Sequence, residues 1–178
     1  MRRRTSPIRV RILLEGRPGS GKTTVARRLA DLLSERGNPP GGFVTEELRV
    51  EGRRVGFTVE TFEGARAVLA HVDLPGPPRV SRYGVDLGAF EEVALPALSA
   101  AHEVFVVDEL GKMELASEAF RAAVTELFER PVAIVATIHL ARHPFTDELK
   151  RRRDAERVNV TVRERNALPQ RLADRLSS

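Results

Sequence analysis

The chain has 178 residues, 42% of them hydrophobic and 30% charged, enough for one domain with a modest insertion and too few for a second catalytic module, since separate cores take on the order of 100 to 200 residues each. Its formal net charge of +4 suits phosphate ligands without indicating nucleic acid. With no cysteine, disulfides, thiolate metal sites and cysteine nucleophiles are excluded, and any metal must take oxygen or histidine ligands.

In chain order, Met1-Arg2-Arg3-Arg4 is basic, but the charged, alternating stretch that follows is not a signal segment, and no apolar run approaches the roughly 20 residues of a membrane span. A cytoplasmic protein with no membrane association is expected. Ile8 to Glu15 alternates and then turns wholly apolar, the pattern of a strand entering a buried sheet. A glycine-rich turn, Gly16 to Thr23, leads into a helix with Val25, Leu29, Leu32 and Leu33 at helical spacing, which Gly37, Pro39 and Pro40 end. From about 42 to 87 the character changes to short β runs (42–45, 55–62 and 67–70) separated by turn signals at Glu51-Gly52, Glu63-Gly64 and 73–78, an inserted antiparallel meander. Residues 88–101 read as a helix containing Pro96. Residues 103–109 form a buried strand ending in Asp108 and Glu109. Ser117 to Arg130 is an amphipathic helix whose inner face is Phe120, Val124, Leu127 and Phe128. Another apolar strand covers 132–139, and the basic run Lys150 to Arg153 precedes a strand near 158–162 and a final helix to about Leu176. Strands alternating with helices specify a single α/β domain, a three-layer, mostly parallel sheet with helices on both faces.

Gly16-Arg17-Pro18-Gly19-Ser20-Gly21-Lys22-Thr23 matches the phosphate-binding loop (Walker A) pattern in its required strand-to-helix context. The loop amides, to about Thr24, converge on one anion at the helix N-terminus. Lys22 is placed to reach the β and γ phosphates, and the Thr23 hydroxyl to coordinate Mg²⁺. The Asp108-Glu109 pair reads as the second half of such a site (Walker B): Asp108 as a metal-holding carboxylate, Glu109 as the base that orients and deprotonates water. Lys22 and Glu109 are therefore the expected catalytic residues. Thr137 and His139, at the end of the next strand, are candidates to sense the γ phosphate. Arg17, Arg79, Arg82 and Arg151 to Arg153 are candidates to add positive charge in the transition state.

The phosphate loop, Gly42-Phe43-Val44-Thr45-Glu46-Glu47, Arg54-Val55-Gly56-Phe57, Tyr83-Gly84-Val85, Asp108-Glu109-Leu110-Gly111-Lys112-Met113-Glu114-Leu115, Thr137-Ile138-His139 and the tail from Thr161 to Leu168 together resemble the thermophilic and cancer-related nucleoside-triphosphatase family, over about residues 9–170. The resemblance implies a RecA-like P-loop fold and Mg²⁺-dependent hydrolysis of ATP, GTP and other nucleoside triphosphates with low base selectivity. In the tail Glu164 precedes Arg165 where family members tend to carry Asn, a departure from the family pattern. A monomer is expected. Three Asn, one Gln and two Met amount to the depletion of labile residues seen in thermophiles; 26 arginines against three lysines also follow from a GC-rich genome.

Two other functions compete. One is a nucleotide or small-molecule kinase with residues 149–157 as a lid; Glu109 argues against it, since a kinase must keep water from the γ phosphate. The other is a nucleotide-controlled module binding RNA or protein through Arg2 to Arg4 and Arg151 to Arg153, which eight Phe, one Tyr and no Trp equip poorly for base stacking.

Overall fold

The computed structural model describes residues 10–177. Ile8 and Arg9 of the expected first strand, and Arg2 to Arg4, lie outside them. The elements in order are β1 (Arg11–Glu15), α1 (Lys22–Glu35), β2 (Gly41–Val50), β3 (Arg53–Thr61), β4 (Arg66–His71), β5 (Arg79–Val80), β6 (Tyr83–Val85), α2 (Leu87–Ser99), β7 (Val104–Leu110), α3 (Glu118–Glu129), β8 (Ala133–Ile138), α4 (Pro144–Arg151), β9 (Ala155–Asn159) and α5 (Leu168–Leu176).

All nine strands join one sheet in the order β5-β6-β4-β3-β2-β7-β8-β1-β9. From β2 to β9 the pairings are parallel; from β2 outward to β5 they are antiparallel. β2 belongs to both halves. Its first residues lie parallel to β7, with Phe43 opposite Val107, and its length then pairs antiparallel with β3. The meander thus continues the parallel sheet. Alternation along β1 assigns the two faces: Ile12 and Leu14 pack with Val25, Leu29, Leu168 and Leu172 of α1 and α5, whereas Leu13 packs on the side of α2 and α3. That second face is anchored by Phe43, Phe90 and Phe120, whose ring centroids are 5.0 to 5.8 Å apart. Such pairs contribute about 0.5–1.5 kcal/mol each beyond area burial, and they hold β2 against α2 and α3. The inner face of α3 is the expected set, Phe120, Val124, Leu127 and Phe128. No helix among the described residues is long and apolar enough to cross a membrane.

Several features differ from the sequence reading. The last strand is Ala155–Asn159, earlier than 158–162, because Asn159 pairs with Glu15 at the end of β1. Residues 144–151 form α4, capped by the His143 ring, which accepts from the Phe145 amide. Arg11, part of a polar alternation in the sequence, is 2% exposed. Its guanidinium donates to the Phe128 carbonyl at 2.7 and 3.0 Å and to the Arg130 carbonyl at 2.7 Å, closing the C-terminal carbonyls of α3 that have no partner within the helix. Arg11→Met removes these bonds and leaves the Phe128 carbonyl only a 3.3 Å contact from Arg152, and we expect a loss of about 2 to 4 kcal/mol, a fall in Tm of roughly 5 to 15 °C. Thermal unfolding followed by circular dichroism checks this; an unchanged Tm refutes the capping role.

Candidate active site

The parallel strands end at one edge of the sheet, with Leu14 level with Thr137 and Val107 with Ala136, the edge where open α/β sheets bind ligands. At this edge β1 delivers the loop from Gly16 to Gly21. Gly21, at φ 104°, is the last residue before α1, a left-handed conformation that suits glycine. It has no side chain to cap the helix, so the first-turn amides of Lys22, Thr23 and Thr24 keep their donors for an anion. The Lys22 side chain folds back over the loop: Nζ donates to the Gly16 carbonyl at 3.0 Å and to that of Ile138 at 3.4 Å, and lies 3.6 Å from Glu109 Oε2.

β8 lies between β1 and β7, so the end of β8 stands between the loop and the two carboxylates. Asp108 is 1% exposed. Thr137 Oγ1 donates to it at 2.6 Å and the Thr45 amide at 3.4 Å, and the Thr23 hydroxyl is a third hydrogen-bond partner. Burial raises its pKa to about 6, helped by the neighbouring Glu109 charge and opposed by these hydrogen bonds. Successive strand residues ordinarily face opposite sides of a sheet. Here the register between β7 and β8 shifts between Val107 and Leu110, and both Asp108 and Glu109 reach the loop, one at Thr23 and the other at Lys22.

The remaining candidates separate. Thr137 spends its hydroxyl on Asp108 and fastens that carboxylate. His139 accepts the Ala141 amide on Nδ1 at 2.9 Å, which leaves Nε2 to carry the proton of the neutral ring. Burial, followed by the charges of Lys22, Lys112 and Lys150, holds its pKa below the usual histidine value. Arg79 and Arg82 are tied to carbonyls of the meander and to Tyr83. Within the residues proposed as a lid, Arg152 pairs with Asp154 and Glu129 and Arg157 with Glu15. Arg151 and Arg153 of the same run are exposed. Arg17 is exposed on the loop.

Two side chains that the sequence reading gave no role stand at the site. Arg165 lays its stem on the loop: a Cβ built on Gly21 would lie 2.6 Å from Arg165 Cδ. Its guanidinium, which begins one bond beyond Cδ, has no hydrogen-bond or ion-pair partner among the described residues. The adjacent Glu164 turns instead to Thr161 and Arg171. Glu114 is 5% exposed, in the short 3-10 turn after β7. Burial, followed by the charges of Glu109 and Asp108, raises its pKa well above the usual carboxylate value. A carboxylate six positions after Asp108 in a mostly apolar setting was the available signal. Beside the loop, Leu140, Asn159 and Val162 line a groove, with Leu140 46% and Val162 60% exposed.

Comparison with known proteins shows the family and the fold. A family model described as NTPase matches residues 11–173. The nucleoside-triphosphatase THEP1 of Thermotoga maritima is 40% identical over 162 residues, covering 89% of this chain and 91% of its own. The crystal structure of THEP1 from the hyperthermophile Aquifex aeolicus superposes with a TM-score of 0.84 at 32% identity, over 95% of this chain and 100% of that one. The solution structure of a human cancer-related nucleoside triphosphatase superposes with a TM-score of 0.81 at 38% identity, over 95% of this chain and 98% of that one.

Proposed function

The chain belongs to the NTPase family, and from that premise we propose that it is a Mg²⁺-dependent nucleoside-triphosphate phosphohydrolase of low base selectivity in which Glu109 activates the attacking water. One observation carries the reading: Lys22 and Glu109 face each other at 3.6 Å beside the buried Asp108, a cation for the phosphates and a carboxylate for water at one place.

The donors suit Mg²⁺. The Thr23 hydroxyl and the Asp108 carboxylate are hard oxygen ligands already bonded to each other, and among the described residues no group of three or more His, Asp or Glu converges as an all-protein metal site. Mg²⁺ characteristically takes one or two protein oxygens and fills its octahedron with water and phosphate. When bound it neutralises charge on the β and γ phosphate oxygens. The amides from Gly19 to Thr24 hold the phosphates, and Lys22 exchanges its carbonyl contacts for the β and γ oxygens. Arg165 supplies a second cation from its position against Gly21. Glu109 takes a proton from water as the water oxygen bonds to the γ phosphorus; the bond from that phosphorus to the β–γ bridging oxygen breaks, and diphosphate leaves with the electron pair.

Low base selectivity is supported by the groove of Leu140, Asn159 and Val162. Apolar faces hold any planar base, and the Asn159 amide offers both a donor and an acceptor, so a flip serves either purine. ATP and GTP are expected within about tenfold of each other in kcat/KM, a difference of about 1.4 kcal/mol. The test incubates the protein with Mg²⁺ and each of four ribonucleoside triphosphates, with and without nucleoside or nucleoside-monophosphate acceptors, and follows phosphate release. Phosphate transfer to an acceptor in place of release refutes the hydrolase reading. A preference above a thousandfold for one base refutes the low selectivity.

A further inference from the structure

We infer that Arg165 is a ligand-binding residue for the diphosphate product as well as the triphosphate substrate: its guanidinium clamps the α and β phosphates, which the two share, and takes no part in the chemical step. The inference rests on the reading of the loop as a triphosphate site.

The segment from Val160 to Arg165 lies on the loop at both of its ends. A Cβ built on Gly16 would come 2.8 Å from the Val160 carbonyl oxygen, and one built on Gly21 would come 2.6 Å from Arg165 Cδ and 3.3 Å from its Cβ. The segment is itself fixed. The Val160 amide donates to the Glu15 carbonyl at 2.6 Å, the Arg165 amide to that of Thr161 at 3.0 Å and the Leu168 amide to that of Glu164 at 2.9 Å, and Leu168 is buried with Ile12 and Leu14. Arg165 is half-buried, yet its guanidinium has no hydrogen-bond or ion-pair partner among the described residues. The adjacent carboxylate, Glu164, takes the Thr161 hydroxyl and lies 3.6 Å from Arg171. Arg157, Arg171 and Arg175, at the same end of the chain, each pair with a carboxylate. Packing of the stem on Gly21 accounts for the methylenes of Arg165, but not for a permanently charged fork left unpaired beside an anion-binding loop. Position decides which phosphates it meets. In a loop of this kind the backbone amides cradle the α and β phosphates, while the lysine reaches the β and γ. Lys22 leans toward Glu109, with Nζ 3.6 Å from its carboxylate, which marks the γ end; Arg165 lies instead against Gly21, in the wall of the amide cradle. Its planar fork spans two phosphate oxygens, and a stem already ordered against the loop loses less freedom on binding. Because the α and β phosphates stay together in the diphosphate, a clamp on them strengthens binding before and after the reaction alike and leaves the barrier between unchanged.

The experiment measures kcat and KM with Mg²⁺–ATP for the parent, Arg165→Ala, Arg165→Lys and Arg163→Ala, together with the unfolding midpoint. It also measures the displacement of a fluorescent triphosphate by ADP, by inorganic tripolyphosphate and by adenosine. Arg165→Ala is expected to raise KM and the dissociation constants of ADP and tripolyphosphate by similar factors, about 10- to 100-fold, while kcat moves by less than about threefold, the mark of uniform binding. Adenosine, which has no phosphate, should bind both proteins alike. Arg165→Lys keeps the stem and the charge but not the fork, so it should recover part of the loss and keeps the inference testable if Arg165→Ala fails to fold. Arg163→Ala removes an equal charge from an exposed neighbour and should change none of these constants. A fall in kcat with unmoved ADP affinity would overturn the inference and place the guanidinium at the γ phosphate. So would adenosine weakened as much as ADP, which means stacking on the base, equal effects from Arg163→Ala, which means net charge alone, or unchanged affinities in folded Arg165→Ala. Absence of phosphate release by the parent would instead overturn the hydrolase reading, and the displacement measurements, which need no turnover, would still decide the role of Arg165.

Discussion

Lys22→Ala is expected to lower kcat/KM by about 10² to 10³, roughly 2.7 to 4 kcal/mol of transition-state stabilisation. Charge builds on the oxygens between the β and γ phosphates as the bond breaks, and Lys22 is the ammonium placed for them. Its side chain is 11% exposed, in surroundings where a charge interaction is weakened less by solvent than at the surface. Arg165 does not replace it, because its stem approaches the loop at Gly21, away from the Gly16 and Ile138 carbonyls that Lys22 spans. The fold should survive. Those contacts are one ordinary and one long hydrogen bond, to the Gly16 and Ile138 carbonyls, and the core on both sheet faces is untouched. Phosphate release measures the first effect and thermal unfolding the second. A folded Lys22→Ala protein with parental turnover would remove the phosphate-loop assignment.

The part of the site that lies within a few consecutive residues was legible in the sequence. The loop from Gly16 to Thr23 carries its meaning in local spacing, and Asp108 follows an apolar run that forms a strand wherever it is buried on both faces. Phe120, Val124, Leu127 and Phe128 announce their helix by period alone. What was missed depends on partners far along the chain. β9 exposes Glu156 and Arg157 and is a strand because β1, some 140 positions earlier, accepts it. α4 buries only Thr146 and Leu149, too few to set up a helical pattern. Arg11 looks like a surface residue until the end of α3 is brought to it. Glu114 and Arg165 follow the same rule. The turn after β7 buries one beside Gly111, and the segment before α5 lays the other against Gly21. A motif written along one strand records neither approach. That Asp108 and Glu109 both reach the same loop is also invisible in an apolar run, which reads the same whether or not its ladder is regular.

Glu109→Gln separates a hydrolase from a kinase. The amide keeps the size of the side chain and still bonds water, but it accepts no proton, so the chemical step should slow by about 10² to 10⁴. Triphosphate binding should survive, since Lys22, Thr23 and the loop amides remain, and a fluorescent triphosphate titrated in the presence of Mg²⁺ measures it. Asp108→Asn should fail in another way. Its carboxylate accepts from Thr137 and from the Thr45 amide and meets Thr23, so the amide weakens the metal ligand and turns donors toward donors. The Mg²⁺ concentration for half-maximal rate should rise, and the unfolding temperature should fall with it. Two neighbouring carboxyls would then show different signatures: a lost rate at unchanged metal demand for Glu109, a raised metal demand with reduced stability for Asp108. The kinase reading predicts the reverse for Glu109. A phosphoryl acceptor brings its own nucleophile and the site must exclude water, so a carboxylate poised on water serves no purpose there. If Glu109→Gln releases phosphate at the parental rate, and nucleoside monophosphate is phosphorylated by either protein, Glu109 does not activate water and the site belongs to a kinase.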